Sequence, residues 1–157
     1  MKAINEPARA VDVVVETDVL VVGSGPGGLA AALAAARAGA RTALLDRNGC
    51  FGGNITQVGV SGFAWYGILI LPTTGRYFHV PCRSLVPRGI GNLLVAGRSI
   101  GGDRVSHAAV RNMMCCAVSG QGAGVAAAVS LQTGKPFDRL DIEAVQTELR
   151  RQGARIQ

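Results

Sequence analysis

The chain has 157 residues, 48% of them hydrophobic and 17% charged, a balance that suits one globular domain with a core and argues against disorder. Sixteen basic against ten acidic residues leave a net charge of +6. The basic residues are scattered, with no run longer than Arg150-Arg151 and only 4% aromatics, so they read as a solvated surface and not as a nucleic-acid site. Residues 1–15 form an N-terminal lead whose last part, Ala10 to Glu16, alternates apolar and polar residues and predicts a short edge strand. Asp18 to Val22 reads as a buried strand that runs into Gly23-Ser24-Gly25-Pro26-Gly27-Gly28. An alanine-rich helix follows from Leu29 to Ala38, Gly39 stops it, and Arg41 to Leu45 is a second buried strand closed by Asp46. A glycine-punctuated loop spans Asn48 to Asn54, and an apolar stretch runs from Gly59 to Leu71. That stretch falls short of the ~20 residues a membrane span needs and is interrupted by Ser61, Gly62 and Gly67.

After a turn at Pro72 to Gly75, Tyr77 to Val80 predicts a strand cut by Pro81, and Asn92 to Ala96 a third strand breaking at Gly97. A long helix of small residues extends from an N-cap at Asn112 to about Leu131. Its Gly120, Gly122 and Gly124 weaken it by about 1 kcal/mol each relative to alanine, which close packing against a sheet or cofactor would offset. The last helix begins at the N-cap Asp141, aligns Ile142, Val145 and Leu149 on one face, and stops at Gly153. This alternation of strands and helices predicts an α/β fold: a Rossmann-like domain with a central, mainly parallel sheet flanked by helices. The N-terminus shows no basic region followed by an apolar core, and the four cysteines lack paired spacing, as expected for a cytoplasmic protein.

The glycine turn carries the clearest chemistry. Gly23 allows the sharp exit from the strand, Gly25 lets phosphates approach bare backbone, and Gly28 lets the helix pack close. Free N–H groups and the positive dipole end of the helix then face the anion. Asp46 stands eighteen positions after Gly28, near the ~20 expected of the acid that accepts hydrogen bonds from a ribose diol. Its charge would repel a 2′-phosphate, while Arg47 fits either beside the adenine or in solvent. This local pattern leaves NAD and FAD open.

The second half narrows the choice. Val80-Pro-Cys-Arg-Ser-Leu-Val-Pro-Arg-Gly-Ile-Gly-Asn-Leu-Leu-Val-Ala-Gly-Arg-Ser-Ile-Gly-Gly-Asp103 resembles the C-terminal FAD-binding segment of FAD-dependent oxidoreductases, in the broad fumarate-reductase-like and succinate-dehydrogenase-like flavoprotein group. Arg104 to Asn112 and Ala117 to Ala127 are similar to the closing helix of that segment, and the N-terminal resemblance runs from Glu16 to about Phe63. The resemblance implies a single FAD-binding domain whose halves are residues 16–63 and 79–157. Its expected FAD contacts are Gly23, Ser24, Gly25, Pro26 and Gly27 at the pyrophosphate, Asp46 and Arg47 at the adenosine, and Gly53, Asn54 and Thr56 beyond. Residues Arg98 to Asp103 would meet the ribityl chain and pyrophosphate, with a surface charge at Arg98 and a turn residue at Asp103 as the alternatives. The helix N-terminus from Asn112 through Met113, Met114 and Cys115 would point at the flavin N1 and O2 edge.

The departures are equally informative. Members of this group carry a long insert that covers the flavin, whereas residues 64–78 here are too few to build a domain with its own core. Substrate-binding and catalytic residues therefore do not carry over and stay unknown. The open flavin predicts a homo-oligomer formed through the apolar 63–71 segment, with Trp65 and Tyr66 at its centre; packing of that segment on its own sheet is the alternative. Cys50 stands alone, which disfavours a disulfide reductase, and Cys115-Cys116 read as two buried thiols. His79 and His107 read as structural, no metal site is expected, and no second nucleotide fingerprint occurs. The sequence thus points to an FAD-dependent oxidoreductase that exchanges hydride at flavin N5. A non-enzymatic flavin-binding or electron-transfer subunit needing a partner is the alternative, and a truncated inactive remnant a third.

Overall fold

The protein is described here from a computed structural model, which defines residues 6–60 and 78–156. Strands β1 (Val19–Val22) and β2 (Thr42–Leu45) pair in parallel, with Val19 opposite Thr42 and Val22 opposite Leu45. Helix α1 (Pro26–Arg37) joins them and packs on both. Pro26 sits at the first helical position, where its missing N–H is harmless, and Gly39 leaves the helix at φ 91°. The strand starts are clamped together. Arg41 forks onto Asp18 at 2.7 and 3.0 Å, and the Asp18 and Val19 amides donate to the Arg41 carbonyl at 2.9 and 3.0 Å.

Helix α2 (Asn54–Gln57) completes the first half, and the second half adds α3 (Arg104–Val110), α4 (Met113–Thr133) and α5 (Ile142–Arg151). The ends of the two long-range helices lie close to expectation. Gly134 closes α4 in the left-handed conformation, and the Asp141 carboxylate caps α5 by accepting from the Glu143 amide at 3.0 Å. Asn112 occupies the N-cap position of α4, but its side chain makes no capping bond. By length and composition α4 is one helix apolar enough to cross a membrane; here it is the central helix of the fold. Its Val125, Ala126 and Val129 join Ala34 of α1, Val145 of α5 and Leu140 in one buried cluster. A second cluster of Leu85, Ile100 and Ala123 is linked to the first through Leu94.

Glycine spacing dictates how α4 meets α1. Gly120 and Gly124 lie four apart, hence on one face. A Cβ at Gly120 would enter the Gly27 carbonyl, and one at Gly124 the Ala31 carbonyl. The two helices therefore cross backbone to backbone, and the partner that offsets the glycine penalty is a helix. Side chains complete the join: Gln132, Arg151 and Gln152 donate to the carbonyls of Ala38, Arg37 and Ala34 in and just beyond the last turn of α1, at 2.8, 2.9 and 3.1 Å.

Three expected strands are absent from the described residues. Leu93–Ala96 runs without strand pairing, residues 10–16 are exposed and irregular, and of the segment from Tyr77 to Val80 the described part, 78–80, is not a strand. Their patterns are strand-like, but a strand exists only when a neighbouring backbone lies in hydrogen-bonding reach. Among the described residues the sheet is accordingly smaller than anticipated, two parallel strands with α1 packed on them, and Leu20, Val22 and Leu45 are exposed. The apolar 63–71 segment lies outside the described residues.

The crossing predicts a sign difference among the three glycines. Gly120→Ala and Gly124→Ala should each lower stability by about 1–3 kcal/mol or more. Gly122→Ala, whose Cβ would meet only Leu85 Cδ1 at 3.8 Å, should raise it by about 1 kcal/mol. Urea unfolding of the three variants checks this; equal effects at all three positions would contradict the crossing.

Candidate functional site

The turn after β1 is held by the acid at the end of β2. Asp46 Oδ2 accepts from the Ser24 amide at 2.6 Å and from Ser24 Oγ at 2.7 Å. Asp46 Oδ1 accepts from the Asn48 amide and Asn48 Nδ2, both at 2.9 Å. Four donors thus occupy the roughly four lone-pair positions of one carboxylate. The Ser24 hydroxyl, followed by the two Asn48 and Ser24 amides, holds the Asp46 carboxyl far below the usual carboxylate range. Ser24 itself is fully buried. Its carbonyl accepts from the Gly52 amide at 2.9 Å, which seats the loop that follows Asp46 against the turn.

Each motif glycine has a visible reason. Gly23 adopts φ 99°, in the region that L side chains avoid. A Cβ at Gly28 would collide with the Gly23 carbonyl, whereas one at Gly25 would meet nothing within 4 Å. Gly25 is therefore bare backbone facing open space at the N-terminus of α1, where the first amides lack intrahelical partners. Gly53 closes over it: a Cβ there would come within 2.9 Å of Gly25 Cα.

The second half reaches the same place through Gly97. Its amide donates to Ser119 Oγ at 3.0 Å, and the Ser119 hydroxyl donates to the Cys116 carbonyl at 2.9 Å. A Cβ at Gly27 would lie 3.3 Å from Gly97 Cα, so the short helical turn Gly97–Ser99 touches the phosphate-type turn of the first half. Between them lies a cavity of about 890 Å³. Ten of the expected residues line it: Gly23, Ser24, Gly25, Pro26, Gly27, Asp46, Gly53, Asn54, Arg98 and Met113. Arg47, Thr56, Asp103, Asn112, Met114 and Cys115 are not on its wall. Asp103 instead caps α3, accepting from the Val105 and Ser106 amides at 3.0 and 2.7 Å and from Ser106 Oγ at 2.7 Å, and these bonds lower its pKa. Thr56 Oγ1 donates to the Phe51 carbonyl at 2.6 Å.

Sequence reasoning missed Arg111, Gly97 and Cys116 on the cavity wall, whereas Ser99 falls within the expected Arg98 to Asp103 stretch. The break between α3 and α4 brings Arg111 there, and its only local signal is a basic residue just before the Asn112 cap. Arg98 and Arg111 are both exposed at the wall. The Cys116 thiol is buried and bonded to the Val110 and Arg111 carbonyls. Burial raises its pKa, and the adjacent Cys115 raises it further against the opposing charge of Arg98. It is poorly suited to act as a nucleophile. Among the described residues, no three His, Cys, Asp or Glu side chains gather as a metal site would require.

These features fit a dinucleotide: bare backbone amides and arginines for the pyrophosphate, and a carboxylate just after β2 on the wall of the same cavity. Because the native Asp46 pKa is depressed, its bonds stabilise the fold fully above the ordinary carboxylate pKa of about 3.9 and lose that contribution as pH falls through the native value. Asp46→Asn should therefore be less stable than the wild type at pH 7. The gap should narrow below about pH 4 and close in strong acid. Chemical denaturation across that range checks the sign; a gap that widens on acidification would reject it.

The profile of the family described as FAD dependent oxidoreductase matches residues 18–69 and 65–149. Fifty residues, 32% of the chain, are 56% identical to the sarcosine oxidase subunit alpha of Corynebacterium sp. (strain P-1). Fifty-two residues, 33% of the chain, are 54% identical to the sarcosine oxidase subunit alpha of Corynebacterium sp. (strain U-96). Each match spans 5% of the relative, so the chain corresponds to a small part of those proteins. No solved structure matches the chain. The family match runs through the glycine turn, Asp46, Gly97 and α4, and the chain belongs to the FAD dependent oxidoreductases, whose cofactor is FAD.

Proposed function

We propose that this chain is the FAD-holding part of an oxidoreductase whose active site is completed by a second polypeptide. The observation that carries the reading is the convergence of the Gly23–Gly28 turn, Asp46, Arg98 and Arg111 on one cavity. FAD, when bound, supplies hydride exchange at N5, and the protein supplies orientation and electrostatics. The α1 amides behind Gly25 take the pyrophosphate, with Arg98 and Arg111 balancing its charge. Asp46 takes the adenosine ribose. Its acceptor positions are already filled, so binding is an exchange in which a bond from Ser24 or Asn48 gives way to a ribose hydroxyl. Met113, the first residue of α4, brings that helix N-terminus to the cavity, where its dipole favours negative charge on the bound ring.

Homo-oligomerisation is the simplest completion, because residues 64–78 between the two halves are too few to build a covering domain with its own core. The word "subunit" in the names of the similar proteins supports a second reading, an FAD-binding or electron-transfer component that works only with a different chain. Anaerobic reduction of the purified protein by candidate substrates, without any partner, separates the two. Reduction favours the self-sufficient enzyme, and its absence favours the component. Purified protein should carry FAD or bind it when added. Asp46→Ala should weaken that binding by about 10–100-fold, the loss of one or more charge-assisted bonds of roughly 1.5–3 kcal/mol. A dissociation constant equal to the wild type's would remove Asp46 from the ribose site.

A further inference from the structure

The four donors around Asp46 are not equivalent, and they divide by oxygen. Oδ2 is held by Ser24, through the backbone amide at 2.6 Å and the hydroxyl at 2.7 Å, and Ser24 is fully buried. Oδ1 is held by Asn48, through the backbone amide and Nδ2, both at 2.9 Å, and Asn48 is exposed.

Releasing each donor has a different cost. A Ser24 hydroxyl turned away from Oδ2 is stranded in the interior, where a lost bond carries the desolvation penalty in full. The Ser24 backbone amide is fixed in a turn whose carbonyl is itself bonded to the Gly52 amide. The Asn48 backbone amide closes a short turn on the Asp46 side chain, a local pattern that aspartate favours, and it moves only with the loop. The Asn48 carboxamide is free of these restraints. Nδ2 sits on a rotatable side chain, its one bonded partner among the described residues is Asp46 Oδ1, and Asn48 stands outside the cavity wall. Rotation returns it to water, which replaces the bond it gave up.

We propose that the Asn48 carboxamide is a displaceable latch on Asp46, holding the position on Oδ1 that one adenosine ribose hydroxyl takes when FAD binds. The inference rests on the contact between Asp46 and the adenosine ribose proposed above, and it names the donor that gives way. One N–H donor leaves and one O–H donor arrives, so the carboxylate keeps its charge and its full set of hydrogen bonds, and no proton moves. Asn48 thereby tunes affinity for adenosine nucleotides as a competitor of the ligand, without touching it. Ser24 is a positioning residue whose hydroxyl holds the carboxylate in both states.

Two probes separate the latch from the ribose contact. ADP carries the adenosine ribose and a diphosphate, and 2′,3′-dideoxy-ADP lacks both ribose hydroxyls. In calorimetric titration of the full chain freed of FAD, the wild type should prefer ADP. Asn48→Ala keeps the backbone amide and removes the latch. It should tighten ADP and FAD binding about two- to tenfold, the effect of one competing hydrogen bond, and leave the dideoxy affinity unchanged. Ser24→Ala should weaken ADP binding. Urea unfolding of the same samples shows that the variants fold and gives a second readout. Ligand-free Asn48→Ala should have a lower midpoint than the wild type, and the two should converge at saturating FAD. ADP binding that is unchanged or weaker in Asn48→Ala, an equal gain for the dideoxy compound, midpoints that stay apart at saturation, or tighter binding by Ser24→Ala would each overturn the latch while leaving the ribose contact standing. A wild type that binds the two probes equally would remove the ribose contact itself, and the latch with it.

Discussion

The close crossing of α1 and α4 is the constraint on which the site depends. Gly120 and Gly124 leave no room for side chains against Gly27 and Ala31, so two helices from distant parts of the chain meet backbone to backbone. That contact places the start of α4 and the Gly97 turn beside the start of α1. The same contact brings Arg98 and Arg111 to the wall of a cavity whose other wall is the glycine turn. A bulkier α4 would push the second half away and dissolve the cavity, even with every cofactor-facing residue unchanged.

Asp46 does for the turn what the helix crossing does for the halves. A glycine-rich turn is entropically costly to fix. Here the Ser24 amide and hydroxyl, pulled onto a carboxylate at the end of β2, fix it before any ligand arrives. A carboxylate already surrounded by four donors is also strongly committed to its charged form. The bonds that shape the turn fill the acceptor positions of this carboxylate.

The helical layer and the sheet are unequal in completeness. The cluster around Ala34, Val125, Val129 and Val145 is buried, whereas β1 and β2 leave Leu20, Val22 and Leu45 exposed. Parallel sheets are ordinarily buried on both faces. Small residues let the helices complete their packing within one chain, while strands can be satisfied only by other strands. This asymmetry leaves the sheet, among the described residues, the less complete layer of the fold.

The sequence by itself determined the strand–turn–helix–strand unit and the acid that ends it, because each of its signals acts over a few residues: an apolar strand, a glycine turn, an alanine-rich helical run and a stopping glycine. It also determined α4 and α5 to within a few residues, through the run of small residues after Asn112 and the Asp141 cap. Only the tertiary structure decided that Gly120 and Gly124 meet a helix, that Arg111 reaches the cavity, and that Asp103 spends its carboxylate capping α3. It also decided that Asn92–Ala96 and the valines before Glu16, strand-like in pattern, are not strands. Helical hydrogen bonds close within four residues and are legible locally. A strand's hydrogen bonds belong to whichever backbone lies alongside, and no local pattern specifies that neighbour.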